Sequence, residues 1–126
     1  WYLARCHWLK GDKKASLEEY VRAIELSGDK ELSQKIRQGI NSADEKEIVR
    51  SWTLEWKKQA GPQGVDDHSI AILYFYQDDK QETLNWLEKS VSAHHPWATW
   101  IDAEPEFDFV RDEPRFQEIL RKMNLK

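Results

Sequence analysis

Apolar residues recur along this chain at the spacing of an amphipathic α-helix. Within 13–27 they fall at i, i+3, i+4 and i+7, on one face of a helix: Leu17, Tyr20, Val21 and Ile24. The same pattern predicts six helices in antiparallel pairs, 1–10 with 13–27, 30–41 with 45–60, and 67–77 with 80–93. No stretch of useful length alternates apolar and polar residues as a strand would, so the chain is predicted to be all-α.

The C-terminal segment, residues 96–126, contains two similar phrases that begin with Glu-Pro and end with Phe. They are Glu104-Pro105-Glu106-Phe107 and Glu113-Pro114-Arg115-Phe116. Because proline is favoured at the first position of a helix, each phrase predicts a helix start, and the second helix runs to about Met123. Four apolar side chains of this segment are expected to cover the open end of the pair 67–93: Phe107, Phe116, Leu120 and Met123.

Residues 1–28 align with residues 68–95 without a gap, which indicates an internal repeat. Small residues coincide in the two segments, Ala4 with Ala71, and so do large apolar ones, Leu17 with Leu84. Small residues let antiparallel helices approach closely, and large ones fill the remaining space. The predicted organisation is a first repeat (1–28), a degenerate repeat that matches only in length and helicity (29–60), a third repeat (65–95) and a C-terminal cap (96–126).

The aligned units resemble the tetratricopeptide repeat. Its signature positions hold Leu3, Ala4, His7, Ser16, Tyr20 and Ala23 in the first unit, and Ile70, Ala71, Tyr74, Thr83, Leu87 and Ser90 in the third. Ser16 and Thr83 stand where the family usually has Ala. The stretch from Ala71 to Leu125 is similar to the end of tetratricopeptide regions in large bacterial regulators and signalling proteins, through Trp86-Leu87-Glu88-Lys89, Pro96-Trp97 and Glu113-Pro114-Arg115-Phe116. In the last phrase Glu113 replaces the capping Asp, so a weaker cap is expected.

The resemblance implies a solenoid of helix pairs that binds a protein or peptide partner. In such repeats the first helix of each pair lines a concave groove, and the candidate residues here are Arg5, Trp8, Ile72, Phe75 and Tyr76. Aromatic side chains and Arg often dominate interface energies. Two alternatives stay open. If the chain's own tail fills the groove, the domain is a structural end cap of a longer solenoid. A small-ligand sensor would need a deep pocket with convergent polar groups.

Composition and charge narrow the function classes. The net charge is −4 with both signs interspersed, whereas a nucleic-acid-binding domain would show a basic patch. The longest apolar run, 70–76, is too short to span a membrane. At 126 residues the chain is expected to be one domain. Because it begins at Trp1, inside a helical pattern, we expect a cytoplasmic fragment of a longer protein, and a membrane anchor elsewhere in that protein stays open.

Two sets of polar residues resemble reactive sites only superficially. His94-His95, near Asp102 and Glu104, lack the spacing of a metal site, because neighbouring residues of a regular helix cannot both face one ion. Asp66-Asp67 and Asp78-Asp79 flank helices, where carboxylates act as caps. The sequence has no glycine-rich phosphate loop and no nucleophile elbow. We therefore expect no enzymatic activity, no cofactor and no metal.

Overall fold

The computed structural model describes residues 2–40, 44–59, 66–94 and 96–124. This part of the chain contains seven α-helices, two 3₁₀ helices and no strand, which confirms the all-α prediction. The α-helices are α1 (Tyr2–Leu9), α2 (Lys13–Ser27), α3 (Lys30–Ile40), α4 (Glu45–Gln59), α5 (Asp67–Tyr76), α6 (Lys80–Ser92) and α7 (Pro114–Lys122). The 3₁₀ helices are Pro96–Trp100 and Pro105–Val110.

The helix boundaries follow the turn and capping residues of the sequence. Asp12 and Asp79 each accept a hydrogen bond of 3.1 Å from a backbone N–H in the first turn of the following helix, where that donor has no helical partner. Gly28 ends α2 with a φ of 98°, a left-handed conformation that glycine adopts without strain. Three predicted helix ends lie outside the described residues: Trp1, Asn41 and Ala60.

The chain separates into two compact units, Trp1–Trp56 and Lys57–Lys126. The first contains α1, α2, α3 and most of α4. The second contains α5, α6, α7 and both 3₁₀ helices. These units are defined by packing, and their boundary lies near the end of α4, just before the junction predicted between the second and third repeats.

In the first unit, α1 packs against α2 at a point where both helices carry small residues. Ala4 and Ser16 are buried, and the Ser16 hydroxyl donates a hydrogen bond of 2.6 Å to the Ala4 carbonyl oxygen across the helix pair. A larger side chain at either position would hold the two backbones apart. Leu17, Val21 and Ile24 are buried around this point, as their helical spacing predicts.

The middle helices pack differently from the outer pairs. α3 lies close to α2, whereas the backbones of α3 and α4 stay further apart than those of α1 and α2 or of α5 and α6. α4 contacts α2 through Trp52, whose ring centroid lies 4.8 Å from that of Tyr20. That 30–41 and 45–60 form an antiparallel repeat pair stays a prediction, and side chains as large as Trp52 face the space between α3 and α4.

In the second unit, α5 and α6 pack closely around a second pair of small residues. Ala71 and Thr83 are fully buried, like the aligned Ala4 and Ser16 of the first unit. The Thr83 hydroxyl donates a hydrogen bond of 2.8 Å to the carbonyl oxygen of Asp79, one turn earlier, so its polar group is satisfied within its own helix. Three large apolar residues of this pair have no exposed surface: Ile70, Leu84 and Leu87.

The C-terminal segment packs onto α5 and α6. The 3₁₀ helix Pro105–Val110 contacts both helices, and α7 contacts α6. Phe107, Phe116 and Leu120 are fully buried and Met123 is partly buried, which confirms that the segment covers an apolar face of this pair. Pro96 begins the 3₁₀ helix Pro96–Trp100, which lies against α6.

Arg115 ties α7 to α6 through three side-chain acceptors. Its guanidinium donates hydrogen bonds to Gln81 Oε1 at 3.0 Å, to Asn85 Oδ1 at 2.7 Å and to Glu88 Oε1 at 3.1 Å. These acceptors are three or four residues apart, so they form a row along one face of α6 that a single guanidinium can reach. The hydrogen bond to Glu88 raises the pKa of Arg115 above its ordinary value. Glu113 makes no side-chain capping hydrogen bond, as expected.

We predict that Phe116→Ala strongly destabilises the second unit. Phe116 is fully buried, and truncation of a buried Phe typically costs about 3–5 kcal/mol through lost apolar contact and the cavity left behind. Urea denaturation of the purified chain measures the loss. Leu26→Ala is the control, because Leu26 is 90% exposed and its truncation should change the free energy of unfolding by less than about 0.5 kcal/mol. A loss below about 1 kcal/mol for Phe116→Ala would contradict the assignment.

We predict that Gly39→Ala destabilises the chain although alanine is the better helix former. A Cβ atom at Gly39 would lie 2.9 Å from Ile48 Cγ1, closer than carbon atoms normally approach. Overpacking of this kind typically costs about 1–3 kcal/mol, whereas the gain in helix propensity is about 0.5–1 kcal/mol. In an Ile48→Ala background the same substitution should instead be stabilising. A double-mutant cycle by thermal denaturation tests this, and equal effects in both backgrounds would disprove the contact.

Candidate functional site

The five residues predicted to line a concave groove are divided between the two units. Arg5 and Trp8 lie on α1 in the first unit, and Ile72, Phe75 and Tyr76 lie on α5 in the second. Trp8, Ile72 and Tyr76 are buried, with 6%, 8% and 1% of their surface exposed, whereas Arg5 and Phe75 are half-buried. The groove stays a prediction, and within it Arg5 and Phe75 retain the most surface for a partner.

Phe75 is partly covered by the C-terminal segment. Its ring centroid lies 5.3 Å from that of Phe109 in an edge-to-face arrangement, and 5.4 Å from that of Tyr76. Edge-to-face aromatic pairs at this separation attract each other beyond the apolar area that they bury. Phe109 belongs to the 3₁₀ helix Pro105–Val110, so within the second unit the chain itself supplies cover for α5.

A cleft in the first unit lies between α3 and α4, and we call it the α3–α4 cleft. Its volume is about 130 Å³. The apolar part of its wall consists of Leu32, Ile36, Ile48 and Trp52, and the rest consists of Lys35, Gly39, Glu47 and Ser51. For comparison, an apolar cavity of about 150 Å³ lined by such residues holds a molecule the size of benzene. The cleft can therefore hold one Leu-sized or Phe-sized side chain.

The rim of the α3–α4 cleft carries charged residues of both signs, Lys35 and Glu47. The Lys35 ammonium lies 3.3 Å from Glu31 Oε1 and 3.6 Å from Glu55 Oε2, so two carboxylates face one cation. The hydrogen bond to Glu31 and the attraction of Glu55 raise the pKa of Lys35 above its ordinary value. Glu47, also on the rim, pairs with Arg50 at 3.3 Å.

The α3–α4 cleft was not found from the sequence, because residues 29–60 match the repeat only in length and helicity. One residue of the sequence could have indicated the cleft: Gly39, a glycine within the helix that ends at Ile40. Glycine in a helix costs about 0.5–1 kcal/mol relative to alanine, so its presence there suggests a close approach by a neighbour. In the structure that neighbour is Ile48, and elsewhere along the cleft the larger side chains hold α3 and α4 apart.

A buried polar pair joins α5 to the segment that precedes the second 3₁₀ helix. His68 Nε2 lies 2.8 Å from Glu104 Oε2, and both side chains are largely buried. The ring of His68 also meets that of Phe107 edge-on, with the centroids 5.6 Å apart. Sequence reasoning had placed Glu104 beside the adjacent histidines and missed His68. The pair links α5 to the C-terminal segment.

The other polar residues singled out in the sequence act as helix caps and turns where the structure describes them. Asp66 accepts backbone hydrogen bonds from His68 and Ser69, and Asp78 adopts a left-handed φ of 55° at the turn before α6. His94 follows α6 with a φ of 53°, and its neighbour His95 lies outside the described residues. Within residues 2–40, 44–59, 66–94 and 96–124, no group of three or more His, Cys, Asp or Glu side chains is arranged to hold a metal ion.

We predict that Phe75 and Phe109 are energetically coupled. Since their rings are in contact, Phe75→Ala and Phe109→Ala should each lower the midpoint of thermal unfolding, and a double-mutant cycle should give a coupling of about 0.5–1.5 kcal/mol. Trp100→Ala is the control, because Trp100 is an exposed aromatic residue of the same segment. A coupling below about 0.3 kcal/mol would mean that the C-terminal segment does not hold Phe75 in place. Phe75 would then be available to a partner.

No family model, no curated protein and no solved structure matches this chain. Among the described residues, no helix combines the length and the apolar character that a membrane crossing requires. The function therefore has to be argued from the geometry of the chain itself.

Proposed function

We propose that this chain is a tetratricopeptide-like interaction domain of a larger regulatory protein, and that the α3–α4 cleft takes an apolar side chain of its protein partner. The observation that carries the proposal is the cleft itself, with about 130 Å³ of space and an apolar wall formed by Leu32, Ile36, Ile48 and Trp52. The proposal includes no catalytic step, cofactor or metal.

The shape of the cleft favours a helical ligand. Two antiparallel helices whose backbones stay apart form a groove, and an amphipathic helix commonly binds such a groove by inserting one or more apolar anchors. A single Leu or Phe side chain would fill the available volume, since each has a size comparable to benzene. The exposed residues Lys35, Glu47 and Ser51 stand at the rim, where they would meet the flanking residues of the ligand.

The charged residues of the rim would meet the flanking residues of the ligand. Lys35 lies near Glu31 and Glu55, and Glu47 lies near Arg50, so both signs of charge are present there. Exposed ion pairs contribute little affinity, but they select orientation and partner. We therefore expect the partner segment to be an amphipathic helix with a Leu or Phe anchor and charged flanking residues.

A second candidate function applies to the second unit. The burial of Phe107, Phe116 and Leu120 against α5 and α6, together with the contact of Phe109 with Phe75, favours the end of a longer helical solenoid. Solenoid ends need such covering, because an uncapped repeat exposes its apolar face. The two functions are compatible, since the cleft lies in the first unit and the cap in the second.

We predict that blocking the cleft abolishes peptide binding. A display library of amphipathic helical peptides, each with one Leu or Phe anchor, is selected against the purified chain, and enriched peptides are measured by isothermal titration calorimetry. Ser51→Phe places a large side chain in the cleft and should weaken binding by at least about tenfold. Replacing the anchor of the peptide by Ala should have a similar effect.

The matched control is Lys46→Phe, an equally large substitution at an exposed position on the opposite face of α4. It should bind the enriched peptides as the unmodified chain does. Thermal denaturation of both variants separates lost binding from lost folding. Failure to enrich any anchored peptide, or equal binding by Ser51→Phe and the unmodified chain, would contradict the proposal.

A further inference from the structure

Two lysines of the second unit converge on one tryptophan. The ammonium group of Lys57 lies 4.9 Å from the ring centroid of Trp86, and that of Lys89 lies 4.0 Å from the same centroid. Lys57 also donates a hydrogen bond of 2.6 Å to the hydroxyl of Tyr74, and its ammonium lies 4.9 Å from the centroid of that ring. We call these four residues the Trp86 cluster.

The two lysines of the Trp86 cluster have no carboxylate of the described part of the chain within ion-pair distance, although Lys89 shares a surface depression with Glu82 and Glu88. Among the described residues, neither Lys57 nor Lys89 forms an ion pair, and their contacts are those with Tyr74 and Trp86. Other cations of the chain, such as Lys35 and Arg111, do have carboxylate partners. Two like charges held against one ring repel each other, and an anion near both of them would relieve that repulsion.

The position of the cluster suits a ligand from solution. Lys89 is exposed, and Lys57, Tyr74 and Trp86 are half-buried, so each has surface that a ligand can contact. The Trp86 indole N–H is shielded from solvent and has no hydrogen-bond acceptor among the described residues. An unsatisfied buried donor is costly, so this N–H is a sensitive reporter of changes around the ring. The cluster thus offers a ligand two cations beside two aromatic side chains.

We propose that the Trp86 cluster binds an acidic segment of a protein, with neighbouring carboxylates on the ammonium groups of Lys57 and Lys89. Two separate ammonium groups on flexible stems match two separate carboxylates, whereas the bidentate recognition of one phosphate is the property of Arg. The aliphatic parts of the acidic side chains would lie on the rings of Trp86 and Tyr74. A nucleic acid would require an extended basic patch or stripe, whereas this cluster contains two lysines.

This site is independent of the function proposed above. The α3–α4 cleft belongs to the first unit and takes an apolar anchor, whereas the Trp86 cluster belongs to the second unit and takes anionic groups. If the test of one proposed site fails, the proposal for the other site is therefore unaffected. Ser51→Phe should leave binding at the Trp86 cluster unchanged, and substitutions in the cluster should leave binding at the cleft unchanged.

The test is a titration of the ¹⁵N-labelled chain with a Glu-rich peptide, followed by the indole N–H signal of Trp86 in heteronuclear NMR spectra. The signal is assigned from its absence in Trp86→Phe. We expect the Glu-rich peptide to shift this signal saturably, and the affinity to fall as salt is added. The same peptide with Gln in place of Glu, inorganic phosphate and a short single-stranded oligonucleotide are titrated in parallel.

Lys89→Gln should reduce the affinity for the Glu-rich peptide by about fivefold or more, and Lys57→Gln should do so to a similar extent. Lys58→Gln is the matched control, since it removes the same charge from the residue next to Lys57 without an aromatic contact among the described residues. Thermal unfolding is measured for all three variants, and because Lys89 is exposed, Lys89→Gln should fold normally. The proposal is overturned if the Glu-rich peptide does not bind, if Lys58→Gln weakens binding as much as Lys89→Gln, or if phosphate or the oligonucleotide shifts the Trp86 signal and the peptide does not.

Discussion

Close approach of antiparallel helices at small residues is the constraint on which each unit depends. Ala4 meets Ser16 in the first unit, and Ala71 and Thr83 are the aligned buried residues of the second. Each unit then builds its core outward from that point with branched apolar residues, such as Leu17 in the first and Leu84 in the second. The hydroxyl groups at this position are compatible with burial only because each donates a hydrogen bond, Ser16 across the pair and Thr83 within its own helix.

Where this constraint is absent, the packing changes. Between α3 and α4, Gly39 allows one close contact with Ile48, and larger side chains line the remaining length of the interface. The result is the α3–α4 cleft instead of a filled core. The larger side chains that weaken the resemblance of residues 29–60 to the repeat also leave the space that we propose as a binding cleft.

Local features of the chain were predictable, and features that depend on distant contacts were not. Helical spacing and the two prolines at 105 and 114 were enough to locate the helices and the buried face of the C-terminal segment. The role of Ile72, Phe75 and Tyr76 on α5 was ambiguous, because the sequence of an apolar face is the same whether a partner or the chain itself covers it. Burial of Ile72 and Tyr76 and the contact of Phe75 with Phe109 could be seen only once the tail was placed. The Trp86 cluster could not be predicted either, because it depends on a contact between helices: Lys57 and Trp86 lie on different ones.

The contacts of Arg115 have a consequence for how the second unit folds during synthesis. Its partners Gln81, Asn85 and Glu88 precede it by 34, 30 and 27 residues, so α6 leaves the ribosome well before the residue that fastens α7 to it. Until then the apolar face of α5 and α6 that Phe107 and Phe116 cover is open to water and to other chains. Closure of this face has to wait until residues 105–122 have emerged, because α7 begins at Pro114. Slow translation through this segment would prolong the aggregation-prone interval, and fast translation would shorten it.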